Sequence, residues 1–300
     1  MKQSLRIAAF VVTLAITAVI SQAQGLSPKW EDLTSADFVK ALQQSGGLCM
    51  LPMGSLEKWG PSGPIGTNLY LARLIALEAA KKEYAIVFPE YFASVTAGDS
   101  TLIGNVTYSQ HLLLELLDET VREMARNGCK KILLVNGHTP NREMIAFYMA
   151  NLMQTPHDYA VYSIYGPEFP VFAAQYAKLP PEIQPSKPGV DGHGGEERIA
   201  AMLAYYPDLV HLDRAHDEPT AVGHGTASEG AAPKHIATGF VDSLPTAYSG
   251  DASGATATRG KALVQYCVDR LVKVIQDVKA DQTTLKVQKE FMDRRENPTK

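Results

Sequence analysis

Ile132-Leu-Leu-Val-Asn-Gly-His-Thr-Pro140 decides how this chain is read: four apolar residues stop abruptly at Asn-Gly, and a proline stands where a helix would begin. Proline is tolerated at the first helical position because the N–H it lacks would have no partner inside the helix. Met144, Ile145, Tyr148 and Met149 then recur at helical spacing. The segment is strand, tight turn, helix, and the flanking chain repeats the alternation. Strands are expected at 48–51, 85–88 and 159–165. Helices are expected at 35–44, from an Asn68 cap to about Lys82, at 109–127 with Leu113, Leu116, Leu117, Val121 and Met124 on one face, just after Arg198, and at 258–278. Such alternation predicts an α/β fold: a mostly parallel sheet flanked by helices on both faces.

The first 23 residues differ in composition. Lys2 and Arg6 precede an uncharged run over 7–20, followed by a small-x-small exit ending at Ala23. That is the layout of a cleavable secretory signal. As a helix the run would reach only about 21 Å, short of a hydrocarbon core of about 30 Å, so a stable membrane anchor is not expected. The organisation is therefore a signal peptide at 1–23, one α/β domain at 24–280 and a polar tail at 281–300 without a periodic face for docking. The mature chain is expected to be exported, to the periplasm or beyond, after cleavage near Ala23.

A formal net charge of −4 with scattered Lys and Arg provides no basic stripe, which argues against a nucleic-acid partner. Three cysteines are too few for a disulfide framework. Cys49 and Cys267 read as core residues, and a single bridge stays open. The six prolines between Gly166 and Gly189 suggest a lid or an oligomer contact. His216, His224 and His235 are spaced too irregularly for a metal pattern and read as surface or loop residues.

Chemistry-bearing residues gather in three turns. The stretch 51–68 holds four glycines and three prolines in eighteen residues and carries Glu57. A path so irregular suits a site loop hung on a scaffold. Glu57 and His138 follow strands, and ligands of an open parallel sheet gather beyond the carboxyl ends of its strands. Asp191, His193, Glu196 and Glu197 stand at a helix entrance, where negative charge is favoured. Imidazole with carboxylate suits Zn or Mn, which would lower the pKa of bound water. Taken singly, His138 reads better as a turn residue and Glu196-Glu197 as first-turn charges; only together do the three turns point to a site.

Glu57-Lys-Trp-Gly-Pro-Ser-Gly-Pro-Ile-Gly-Thr-Asn68, Asn136-Gly-His-Thr-Pro-Asn141 and Asp191-Gly-His-Gly-Gly-Glu-Glu197 resemble the three signature blocks of the creatininase (creatinine amidohydrolase) family. Gly250-Asp-Ala-Ser-Gly-Ala-Thr-Ala-Thr-Arg-Gly260 is similar to the segment before that family's last helix. The resemblance runs over about 49–270. It implies a creatininase-like α/β fold, a two-metal Zn or Mn centre, hydrolysis of C–N bonds in small cyclic amides or formamides, and a homo-oligomer, often a hexamer.

This chain departs from the family pattern at several positions. Trp59 and Ser62 stand where the family has histidines, Asn68 where it has a bridging aspartate, and Thr139-Pro140 where it has Gly-Gly. Arg198 aligns with a family glutamate, leaving Glu197 one position early. Without a bridging carboxylate, two adjacent dications would repel uncompensated. The resemblance therefore implies a single Zn or Mn ion on Glu57, His138 and Glu197, with His193 as the catalytic group that protonates the departing nitrogen. Trp59, Asn68 and Asp191 would contact a small-molecule amide, Trp59 as an aromatic wall. The alternative is a catalytically inactive relative that binds a small molecule or serves as an oligomeric scaffold, with Trp59 filling the second metal's place.

Overall fold

The computed structural model describes residues 25–96, 98, 100–164, 179–220 and 244–299. The expected signal peptide, His224 and His235 lie outside them. Four strands, β1 (Leu48–Met53), β2 (Ile86–Val87), β3 (Lys131–Asn136) and β4 (Ala160–Ile164), form one sheet in the order β2-β1-β3-β4. All three pairings are parallel, and Met53 of β1 lies opposite Asn136 of β3. The helices before the site are α1 (Ser35–Ser45), α2 (Thr67–Lys82), α3 (Gln110–Arg126) and α4 (Asn141–Leu152). Those after it are α5 (Glu196–Tyr205), α6 (Ala257–Ala280) and α7 (Thr284–Glu296).

Strand periodicity of two divides the core. Leu48, Met50, Leu133 and Val135 pack with α2, α5 and α6, whereas Cys49, Leu51, Ile132 and Leu134 pack with α1, α3 and α4. The sheet is covered on both faces, which is why its strands are continuously apolar rather than alternating. β1 feeds α2 on one face and β3 feeds α4 on the other. Loops leaving these two central strands therefore diverge and leave a crevice at their carboxyl ends.

Helix starts follow capping chemistry. The Thr34, Ser109 and Thr256 side chains accept backbone N–H bonds at the starts of α1, α3 and α6, and Gly46 closes α1 in the left-handed region with φ 64°. At α2 the expected cap is corrected. Gly66 occupies the cap position without a side-chain bond, and Asn68 lies inside the first turn. Its amide is turned into the protein, where other partners claim it.

Cys49 is bridged to Cys129 across a sequence separation of 80, while Cys267 is a buried thiol on α6. The tail is also more structured than its composition suggests. Most of it is α7, where Gln288 donates to the carbonyls of His157 and Tyr159, each at 3.0 Å, and Met292 is buried. Docking through hydrogen bonds leaves no apolar period to read. His216 is exposed. Among the described residues no helix is long and apolar enough to cross a membrane.

Candidate active site

Glu57, on the loop after β1, is 2 % exposed, and His138, two residues past β3, is 3 % exposed. The Met53↔Asn136 register places their turns side by side. Asn136 Oδ1 accepts the His138 backbone N–H at 3.1 Å, tightening the second turn. The third turn docks through glycines. Gly194 has φ 77°, and a Cβ on it would sit 2.9 Å from the Gly60 nitrogen, so the chains beside Trp59 and His193 touch backbone to backbone.

Hydrogen-bond valence assigns the protons. Arg198 Nη1 donates to Asn68 Oδ1 at 2.7 Å, which orients the amide and turns Nδ2 toward Ser55 Oγ (2.9 Å) and Glu57 Oε1 (2.5 Å). His138 Nδ1 lies 3.2 Å from both Glu57 Oε1 and the Asn68 amide nitrogen. At 2.8 Å from Nε2 lies the Val95 carbonyl, which only accepts, so Nε2 carries a proton. Both ring nitrogens of His138 are thereby engaged by the protein.

The electrostatics agree. Burial works against charge on Glu57, but the His138 charge and hydrogen bond, with His193, hold its carboxyl well below the usual 4.5. Burial also opposes the charge on His138, yet Glu57, through charge and hydrogen bond, outweighs it and raises the imidazole above 6.5.

His193 lies on the other side of Glu57, its Nε2 3.8 Å from Glu57 Oε1. Its Nδ1 donates to the Ala247 carbonyl at 2.8 Å, and Ser249 Oγ accepts its backbone N–H at 3.0 Å. The imidazole stacks on Trp59 with centroids 4.1 Å apart and planes at 14°, and Arg198 Cζ lies 4.9 Å from the Trp59 centroid. These groups surround a cavity of about 340 Å³, also lined by Asp191 and Glu197.

All seven residues singled out from the sequence thus line one cavity, and three of them are also held by the protein itself. Asp191 is anchored: Arg259 Nη1 donates to its Oδ1 at 2.8 Å and Nη2 to its Oδ2. Asn68, read as a ligand-binding amide, has both ends of its side chain engaged by the protein. Trp59 meets His193 and Arg198 across its ring in place of an open wall. The sequence reading missed how Arg198 acts, and also missed Val95, Ala247 and Arg259. Carbonyl partners leave no side-chain signature, and Arg198 was legible only as a departure from a motif.

The donor set does not fit a metal ion as it is folded. A ligating imidazole needs an open nitrogen lone pair, and both ring nitrogens of His138 already face the protein's own groups, Nδ1 at 3.2 Å from Glu57 Oε1 and Nε2 at 2.8 Å from the Val95 carbonyl. The Arg198 guanidinium already lies inside the site, on Asn68 Oδ1 and the Gly137 carbonyl, where its charge opposes that of a dication. Among the described residues no group of three His, Cys, Asp or Glu side chains converges to hold one.

The family model for creatininase (creatinine amidohydrolase) matches residues 31–275. The chain belongs to the creatininase family. It is 29 % identical over 203 residues to the creatinine amidohydrolase of Pseudomonas putida, covering 63 % of this chain and 76 % of that protein. It is 24 % identical over 268 residues to the 3-dehydro-scyllo-inosose hydrolase of Thermotoga maritima, covering 83 % of each. A creatininase crystal structure matches at TM-score 0.69 and 24 % identity over 85 % of this chain and 99 % of its own. Other creatininase structures with this fold are named as a Mn form and a Zn–Zn type, each at TM-score 0.68. By family, then, the chain is amidohydrolase-like, and its creatininase-like α/β fold is that of the solved structures.

Proposed function

We propose that this cavity receives a small, flat amide and that the chain hydrolyses its C–N bond with His193 and Glu57 managing the proton. The observation that carries this reading is the approach of His193 Nε2 to Glu57 Oε1, 3.8 Å apart beside the cavity. Because Nδ1 is committed to the Ala247 carbonyl, Nε2 is the nitrogen that takes and gives the proton. Water adds to the amide carbon while its proton passes to Nε2. The C–N bond then breaks as that proton moves to the departing nitrogen, releasing a carboxyl group and an amine. Glu57 stays ionised throughout and stabilises the transient imidazolium. The hydrolase names of the curated relatives support the reaction class.

A second reading, binding without turnover, is favoured by one observation: the Trp59 ring meets two of the protein's own groups, His193 and Arg198. A panel of lactams, cyclic ureides and formamides, followed by product analysis and calorimetry, separates the two. Turnover that falls at least about 100-fold in His193→Gln supports hydrolysis. Saturable binding with no product establishes the second reading, and neither binding nor product defeats both.

Two further proposals accompany this one. Export is supported by the Cys49–Cys129 bridge, which persists in oxidising compartments. Homo-oligomeric assembly, up to a hexamer, is supported by the exposed apolar side chains of Phe147, Leu112 and Leu116. Sedimentation of the mature chain measures the second directly.

A further inference from the structure

Arg198 enters α5 at its third residue and is only 6 % exposed. A guanidinium cannot shed its charge, so burying one requires a built seat. Nη1 donates to Asn68 Oδ1 and, at 3.2 Å, to the Gly137 carbonyl, while Cζ lies 4.9 Å from the Trp59 centroid. From the end of the third turn, one side chain thereby touches the other two. Because Arg198 fixes the amide of Asn68, it also fixes which end of Asn68 faces Glu57 and His138.

We propose that Arg198 is a tethered cation in the place of the family's ion, acting as a positioning residue that renders this site independent of Zn and Mn. Three observations point the same way. The seat takes up the amide that would have to change partners for a metal to be bound. The imidazole that would ligate has both ring nitrogens against the protein's own groups, Nδ1 at 3.2 Å from Glu57 Oε1 and Nε2 at 2.8 Å from the Val95 carbonyl. The guanidinium sits on Asn68 Oδ1 and the Gly137 carbonyl and over the Trp59 ring, so a permanent positive charge already occupies the cavity. The proposal rests on the cavity being the family's site and not on whether an amide is turned over there.

The test uses the full mature chain and metal alone. Equilibrium dialysis against Zn²⁺ or Mn²⁺ at ~10 µM is expected to leave wild type with less than about 0.1 ion per chain, and its melting temperature is expected to be unchanged by EDTA. Asn68→Asp combined with Arg198→Glu removes the cation and adds two carboxylates, and should take up at least about tenfold more metal. Arg198→Lys, which keeps the charge, should remain as metal-poor as wild type. Uptake near one ion per wild-type chain, lost in Glu57→Gln, overturns the assignment, as does a folded double variant that gains no metal. Should the double variant not fold, the wild-type and EDTA measurements decide. Metal uptake by wild type would sink this inference while leaving amide hydrolysis standing. Absence of turnover would sink hydrolysis while leaving Arg198 where it is.

Discussion

His138 is held between Glu57 on Nδ1 and the Val95 carbonyl on Nε2, and that engagement of both ring nitrogens separates this site from one with an imidazole open to an ion. It also makes stability depend on pH with a definite sign. Glu57 is depressed below 4.5, so its contribution is present above that value and is lost as pH falls through its lower folded-state pKa. His138 is raised above 6.5, so its contribution is complete below that value and is lost as pH rises through its higher folded-state pKa. The groups facing the pair are Asn68, His193 and Arg198. The melting temperature of wild type should therefore pass through a maximum between the two limbs, and Glu57→Gln should flatten both. A profile in which that variant keeps the wild-type shape would refute the pairing. Glu57, His138 and His193 were legible in the sequence because each sits in a short block of fixed order. The role of Arg198 was not, because its partners at 59, 68 and 137 come from distant segments.

At the level of elements, the site depends on how the turn at 190–195 is fastened to its neighbours. Arg259, in the first turn of α6, donates to both oxygens of Asp191 and, at 3.2 Å, to Glu196 Oε2. The side chains of Asp191 and Glu196 are 6 % and 1 % exposed, so neither carboxylate can turn to solvent for compensation. Removing the cation from a buried network costs about 3–5 kcal/mol. Arg259→Leu should lose stability of that order in urea unfolding and weaken ligand binding through His193, which the same turn carries. A loss below about 1 kcal/mol would show the network to be solvated. The main helices and strands were legible because their periods are set by burial on a two-sided sheet. The docking of α7 was not, because Gln288 binds carbonyls and contributes nothing to an apolar period.

For the molecule as a whole, the Cys49–Cys129 bridge ties β1 to the turn ahead of β3, the two strands whose loops build the cavity. Closing a loop of 80 residues removes unfolded-state entropy worth about 4.5 kcal/mol in the chain-entropy model. Reduction with dithiothreitol, or Cys129→Ser, should lower the unfolding midpoint accordingly, and an unchanged midpoint would refute that contribution. The sequence by itself determined the alternation of strands and helices, the parallel sheet and the three turns bearing carboxylate and imidazole, because these follow from local period, capping and short-range turn chemistry. Which cysteine pairs with Cys49, which groups face Glu57 and what each ring nitrogen of His138 meets were decided only by the tertiary structure. Each depends on atoms brought together from segments far apart along the chain, and no local pattern encodes their distances.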